Sequence, residues 1–255
     1  MSDFCSLRGS GPVLRATAFL GVLGVLGACT PAEQPTEIVD PFEAQNRAIH
    51  EFNKEFDRRF LSTASEAYGE TLPEPVRNVI GNVADNISLT GDIVNDILQG
   101  RADDAVHNSF RFAINSTLGV GGLFDPAASF GLETREAGFG ETLFTYGVPE
   151  GAYIELPLLG PSTQREAVGR VADFFTNASS YALEGSSAAA ATGVGVVDLL
   201  NDRYALRSVI DGVLYESEDS YAQARTLYLQ NLRFRYSGGN AAEQVVDIYD
   251  DVYSD

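Results

Sequence analysis

Residues 40–60 read DPFEAQNRAIHEFNKEFDRRF, and their spacing decides the fold class. Phe42, Ile49, Phe52, Phe56 and Phe60 are separated by 7, 3, 4 and 4 positions, the period of one helical face. Asp40 followed by Pro41 has the form of a helix start, with Asp as N-cap and Pro at the first helical position. The stripe reads as a packed core face, and the same spacing also suits contact with a bilayer or a partner protein. At ~1.5 Å per residue the segment reaches roughly 28 Å, close to the hydrocarbon thickness of a membrane. It does not cross one alone. Eight charged residues lie between Phe42 and Phe60. At ~2.5 kcal/mol each they would cost on the order of 20 kcal/mol at mid-bilayer, against ~0.3–0.6 kcal/mol gained for each apolar residue.

The helical pattern continues towards the C-terminus. Pro73 and Pro75 mark a turn, after which Val76, Val79, Ile80, Val83 and Ile87 form a stripe, followed by Ile93, Val94, Ile97 and Leu98 ahead of a stop at Gly100. A helix over about 102–118 places Val106, Phe110, Ala113 and Ile114 on one face. A capping box at Thr163 to Glu166 opens another, with Val168, Val171 and Phe175 inward. The Ala-rich SSAAAATGVG of residues 186–195 separates it from two long helices, roughly 194–215 and 218–236. The turn-rich ELPLLGP stretch after Gly151-Ala152-Tyr153 has room for short extended pieces. Sustained period-two alternation is missing from the sequence, so an outer-membrane β-barrel is unsupported. The expected fold is all-α, one helical domain over 41–236, interrupted by an unusually apolar loop, GVGGLFDPAASFGL, at 119–132.

Upstream, Arg8 and Arg15 precede a 12-residue apolar run from Ala16 to Gly27, too short to span a membrane and suited to a secretory signal. It ends in Leu26-Gly27-Ala28-Cys29, which resembles the lipobox of bacterial lipoproteins. The expectation is a signal peptide over 1–28, a lipid anchor on Cys29, and a Pro-rich tether over 29–40. Cysteine suits this role because its thiolate attacks activated lipid near neutral pH. Thr30 after the anchor, where Asp is absent, favours the outer membrane by the same resemblance. Residues 237–255 read as an acidic mobile tail.

Composition removes several functions. Seventeen basic against 36 acidic residues give a formal charge of −19, unfit for holding a nucleic-acid backbone. The same balance disfavours an electrostatic clamp on anionic headgroups and suits zwitterionic lipid better. Cys5 and Cys29 are the two cysteines and leave no thiol for the body of the fold; His50 and His107 stand 57 positions apart, so no metal or cofactor is expected. GVGG lacks the spacing of a phosphate cradle, and no GxSxG surrounds Ser186 or Ser187. Asp103-Asp104 and the pair Asp198 and Asp202 read as solvated helix faces. Arg111, Arg225 and Arg233 read as partners for the abundant acids, with lipid phosphate as the other candidate. A hydrolase would need a paired nucleophile and base, and none is legible.

Several blocks taken together, DPFEAQNRAIHEFN, RNVIGNVADNISL, VNDILQG, RFAINSTLGVGGLFD, GFGETL with YGVPEGAYIELPLLGPS, and YAQARTLYLQ, resemble the MlaA/VacJ lipoprotein family in order and spacing over about residues 40–236. Two departures stand at Leu89-Thr90, where members often have Glu-Pro, and at Gly151-Ala152-Tyr153, where they often have Gly-Pro-Tyr. The resemblance implies a ring of amphipathic helices in the inner leaflet of the outer membrane, beside trimeric porins, with a channel for phospholipid. It implies that misplaced phospholipid passes through to a soluble periplasmic lipid carrier, which preserves outer-membrane asymmetry without catalysis. It also makes Gly119, Val120, Gly121, Gly122, Leu123 and Phe124 a Gly-rich hairpin loop at the channel mouth, a candidate gate; an ordinary buried apolar turn is the plainer use of such a loop. A structural lipoprotein that organises porins without moving lipid is the competing function.

Overall fold

The computed structural model describes residue 35 and residues 37–176 and 186–237. The signal segment, Cys29 and residues 238–255 lie outside the described residues. Helix α1 spans Glu43–Phe56 and runs through a π-helical turn, Asp57–Leu61, into α2, Ser62–Thr71. Asp40 does not cap α1. Its carboxylate instead accepts from Asn46 Nδ2 at 2.9 Å, from the Tyr221 hydroxyl and from Arg225, and the helix begins three residues later without a side-chain cap.

Helix α3, Glu74–Leu98, unites the two stripes read separately and passes unbroken through Leu89-Thr90. Pro75 occupies its first turn, where a missing N–H costs nothing. Gly100 ends it, at φ 73°. Helix α4, Ala102–Thr117, packs antiparallel-fashion back on α3, and the apolar loop that follows contains a four-residue helix α5, Pro126–Ser129, capped by Asp125. Helix α6, Phe139–Thr145, leads to a two-stranded antiparallel hairpin, β1 (Tyr153–Leu156) and β2 (Gly160–Thr163), with Tyr153 opposite Thr163. The Thr163 hydroxyl accepts from Glu166 N at 3.3 Å, as the capping box requires, and opens α7, Gln164–Thr176.

Helix α8 covers Ser186–Ala205, so the Ala-rich stretch forms its first turns and is no separator; alanine has the highest helix propensity of all residues. The long helix expected to reach Tyr215 breaks at Leu206 into α9, Arg207–Asp211, and a second π-helical turn, Gly212–Glu216, before α10, Ser220–Tyr236.

The packing order closes on itself. Helix α2 packs on α8, α8 on α3, α3 on α6 and α7, α7 on β2, β2 on β1, and β1 on α1, which continues into α2. The fold is therefore a ring of helices with a small hairpin in its wall.

Its burial is inverted. Among the described residues eighteen buried side chains are polar or charged and nine are hydrophobic. Phe42, Phe52 and Phe60 are 41%, 54% and 60% exposed, whereas Asn46 and His50 are the buried residues of α1. This overturns the core reading of the aromatic stripe. Val106 and Phe110 of α4 also point outward, over buried Asn108, Arg111 and Asn115, and Val168 and Val171 of α7 are exposed where an inward position was expected. The side chain of Phe175 lies outside the described residues. Periodicity finds a helix's apolar face but not the solvent that face prefers.

Candidate functional site

Helix α1 joins the hairpin through asparagines. Asn46 donates to Tyr153 O at 3.2 Å and accepts from Glu155 N at 2.9 Å, while Asn53 donates to Leu156 O at 2.9 Å and accepts from Leu158 N at 2.7 Å. The side-chain amides complete the edge of β1 as a neighbouring strand would. Between them, buried His50 holds Ser220 Oγ 3.1 Å from Nε2 and Glu155 Oε1 3.4 Å from Nδ1. This hydroxyl–imidazole–carboxylate chain was not legible in the sequence, because its members lie 105 and 170 positions apart. Its surroundings are those of a fold tie. Lys54 also donates to Ser220 Oγ, and the Asp219 carboxylate already takes the amides of Ala222 and Tyr221, the donors an oxyanion beside Ser220 would need.

Acidic side chains gather between α3, α8 and the segment before α6. Asp85 and Asp92 lie two helical turns apart on α3, Asp198 and Asp202 one turn apart on α8, and Glu136 on the segment before α6. Burial is the leading cause that raises Asp85, Asp92, Asp198 and Asp202, and mutual repulsion adds to it: Asp202 and Asp85 act on Asp198, and Glu136 on Asp92 and Asp202. Asp198 rises to about 6 and Asp92 to about 7. Yet Asp85, Glu136 and Asp202 are exposed. Desolvation by the neighbouring helices raises these carboxylates, and access to water lets them stand without basic partners.

Asp92 gives a pH prediction. It accepts from the Ala137 amide at 3.1 Å, a bond that lowers its pKa but is outweighed by burial. Below about pH 4 the folded and unfolded chains both carry the proton, and no penalty exists. As pH rises the unfolded chain ionises first, so stability falls across pH 4–7 and the full penalty stands above the folded pKa of about 7. Asp92→Asn keeps the acceptor and removes the charge. It should stabilise the protein at pH 8 by on the order of 2–4 kcal/mol and leave it unchanged near pH 4. Thermal melts in detergent at both pH values check this; equal melting points at pH 8 would refute a buried charge.

The three arginines left between two uses are ion-paired: Arg111 with Asp125 at 3.0 Å, Arg225 with Asp40 at 2.5 Å and Arg233 with Glu150 at 2.8 Å. Asp104 pairs with Arg135, and half-buried His107 bonds to Glu133 O, far from His50 in sequence. Asp202 is exposed, as a solvated helix face requires, whereas Asp198 is half-buried beside Gly81 of α3.

The loop after α4 is a tight, strained turn with an apolar outside. Val120, Gly121 and Gly122 all have positive φ, at 55°, 74° and 90°. For a β-branched residue such as Val120 that is a rare backbone. Gly122 is required twice over, because a Cβ there would lie 2.7 Å from Asn86 Cβ. Phe124 N donates to Gly119 O at 3.0 Å, Gly122 N to Asn115 O at 2.9 Å, and Asn82 Nδ2 on α3 to Leu123 O at 3.2 Å. Gly119 and Gly122 are buried, whereas Leu118, Val120, Leu123 and Phe124 are exposed. The loop is thus stitched to α3 on one side and presents hydrocarbon on the other.

Exposed large hydrophobics circle the ring, from Phe52 and Phe60 through Phe110, Phe130 and Phe174 to Leu199 and Phe234. Among the described residues no helix is long and apolar enough to cross a membrane. Comparison with known proteins agrees with this geometry. A family described as "MlaA lipoprotein" matches residues 38–235. The intermembrane phospholipid transport system lipoprotein MlaA of Haemophilus influenzae is 31% identical over 247 residues, covering 92% of this chain and 95% of that protein. Its namesake in Escherichia coli is 30% identical over 236 residues, 91% and 92% of the two chains. An uncharacterised protein of Rickettsia bellii is 35% identical over 194 residues, 74% of each. A solved structure reported under the words "Structural basis for maintenance of bacterial outer membrane lipid asymmetry" superposes with a TM-score of 0.67 at 34% identity, covering 77% of this chain and 98% of that one. With a family match across the whole helical ring and relatives aligned nearly end to end, this chain belongs to the MlaA lipoprotein family.

Proposed function

We propose that this protein moves phospholipid between the outer membrane and the periplasm, helping to keep the two leaflets different in lipid composition. The single observation that carries the reading is the inversion: apolar side chains outside, polar and charged side chains inside. An ordinary water-soluble domain has the opposite arrangement. A phospholipid needs both phases at once, because its headgroup is costly to desolvate and its tails are costly to hydrate. A ring seated in one leaflet with a wet interior lowers that barrier without supplying energy.

Three finer elements belong to the same reading. Cys29 is the lipidated anchor that holds the ring at the periplasmic leaflet, since several acyl chains at ~0.8 kcal/mol per buried methylene hold a protein firmly. The apolar rim seats beside a trimeric porin, and a soluble periplasmic lipid carrier receives the lipid. The loop at 119–124 gates the passage. The reading is tested by reconstituting the purified lipoprotein in vesicles and following labelled phospholipid into the purified carrier. Transfer should exceed protein-free vesicles at least tenfold; background transfer, together with unchanged outer-leaflet phospholipid and altered porin complexes in cells lacking the protein, would favour a porin-organising role.

A further inference from the structure

In a chain with 36 acidic and 17 basic residues, a guanidinium without a carboxylate partner is unexpected. Two such arginines meet at one place. Arg77, in the second turn of α3, and Arg207, the first residue of α9, both lie against the ring of Tyr204, with guanidinium carbons 4.9 Å and 4.5 Å from its centroid. Neither is within ion-pair distance of a carboxylate among the described residues. Arg207 spends one donor on Tyr204 O at 2.9 Å. Arg77 Nε is buried without a hydrogen-bond partner, and so is the hydroxyl of Tyr68. These two groups share one neighbourhood, because the charge of Arg77 lowers the Tyr68 pKa that burial, first, and Asp198, last, raise.

The ring of Tyr204 is fixed from beneath. Gly69 lets it sit so close that a Cβ there would fall 2.3 Å from the ring. With guanidinium carbons 4.9 Å and 4.5 Å from one ring centroid, Arg77 and Arg207 gather their remaining N–H donors at one place, and guanidinium donors are those a phosphate binds best. One turn beyond Arg77, roughly 6 Å along the helix, Asp198 lies beside Gly81, its Oδ1 3.7 Å from where a Cβ at that position would stand. Cation and anion therefore follow one another along α3, from the arginine pair to Asp198. Exposed Val76 and Leu206 precede the two arginines in sequence, and Val209 lies one turn further along, so hydrocarbon borders the pair.

We propose that Arg77 and Arg207, stacked on Tyr204, dock the phosphate of a zwitterionic phospholipid while Asp198 takes its ammonium. The site rests on the transport reading and names the headgroup class that enters. A cleft of about 430 Å³ at Lys54, Arg58 and Tyr215 is the other cationic feature, but Glu51 lies 4.0 Å from Lys54 and Glu55 3.2 Å from Arg58. Its charges already have partners.

The test titrates the full lipidated protein in detergent with phosphatidylethanolamine, phosphatidylglycerol or inorganic phosphate, and reads bound species by native mass spectrometry. Wild type should retain phosphatidylethanolamine in preference to phosphatidylglycerol, and millimolar inorganic phosphate should not displace it. Arg77→Gln/Arg207→Gln should weaken retention about tenfold, and Asp198→Asn should abolish the preference for the amine headgroup, whereas Arg58→Gln should match wild type. If the glutamines unsettle the fold, Arg77→Lys/Arg207→Lys keeps charge and stem but not the fork, and should still weaken binding at least threefold. Wild-type retention in both double variants overturns this site and leaves transport standing. Displacement by inorganic phosphate makes it a free-phosphate site and overturns the lipid assignment. A wild type that retains no phospholipid overturns both.

Discussion

Arg203→Met should destabilise the protein by about 3–5 kcal/mol, the largest effect expected from any single interior substitution here. Arg203 is 4% exposed and forks onto Asp57, Nε to Oδ1 at 2.8 Å and Nη2 to Oδ2 at 2.9 Å, with a further bond to Asp211 at 2.6 Å. The Tyr215 hydroxyl donates to Asp57 Oδ2 at 2.6 Å. Asp57 opens the first π-helical turn and Tyr215 lies in the second, so both irregular turns converge on one buried charge. A π turn adds a residue to the helical circuit, and such turns persist where a side chain needs re-aiming. Removing the guanidinium leaves the carboxylate buried and unpaired, and the cost comes from that orphaned charge more than from lost attraction. The melting point should fall by roughly 6–20 °C. Asp57→Leu in the same background should recover most of the loss, because an apolar pair of similar volume replaces a buried ion pair at little cost. A single variant within 1 kcal/mol of wild type by denaturant unfolding in detergent would refute the hub.

The helices were legible from spacing, and so was the stop at Gly100, because both depend on local rules: one face every 3.6 residues, and a left-handed residue after the last turn. Direction was not. The phenylalanines of α1 suggested a core, yet the informative stripe was the opposite one, Asn46, His50, Asn53 and Asp57, at spacings of 4, 3 and 4. A polar residue recurring on one face at helical period, against an apolar stripe on the other, has two solutions: water outside, or water inside. Only the closure of the ring chooses between them, and closure depends on contacts such as Asn46 with Glu155, 109 positions apart. The same limit hid the arginine pair on Tyr204, whose members come from helices 130 positions apart. Asp40-Pro41 misled for a different reason: Asp40 satisfies every local rule for a cap, but Tyr221 and Arg225 of the last helix claim its oxygens.

Locking the loop should stop transport. Asn82→Cys with Leu123→Cys puts one thiol on α3 and one on the loop, across the contact that Asn82 Nδ2 makes with the backbone Leu123 O at 3.2 Å, and a short bis-methanethiosulfonate reagent would join them through reducible disulfides. If the loop gates the passage, transfer to the carrier should drop to background, a loss of at least tenfold, and return when a reductant opens the bond. The energetics suit a moving part. The closed loop is held by the backbone bonds at Gly119 and Gly122 and by Asn82, each worth about 1 kcal/mol net. Against them stands a β-branched residue at φ 55°, a strain of order 1–3 kcal/mol. With the bonds of Gly119 N to Ile114 O and Gly121 N to Ser116 O, the strain offsets only part of what holds the loop, and lipid contact with Leu118, Val120 and Phe124 has to supply the rest for Val120 to relax. Val120→Asn removes the β-branch and tolerates the left-handed backbone, so it should favour the closed loop and slow transfer without any crosslink. Undiminished transfer in the crosslinked double-cysteine protein, with the crosslink confirmed by mass, would show that lipid does not pass by movement of this loop.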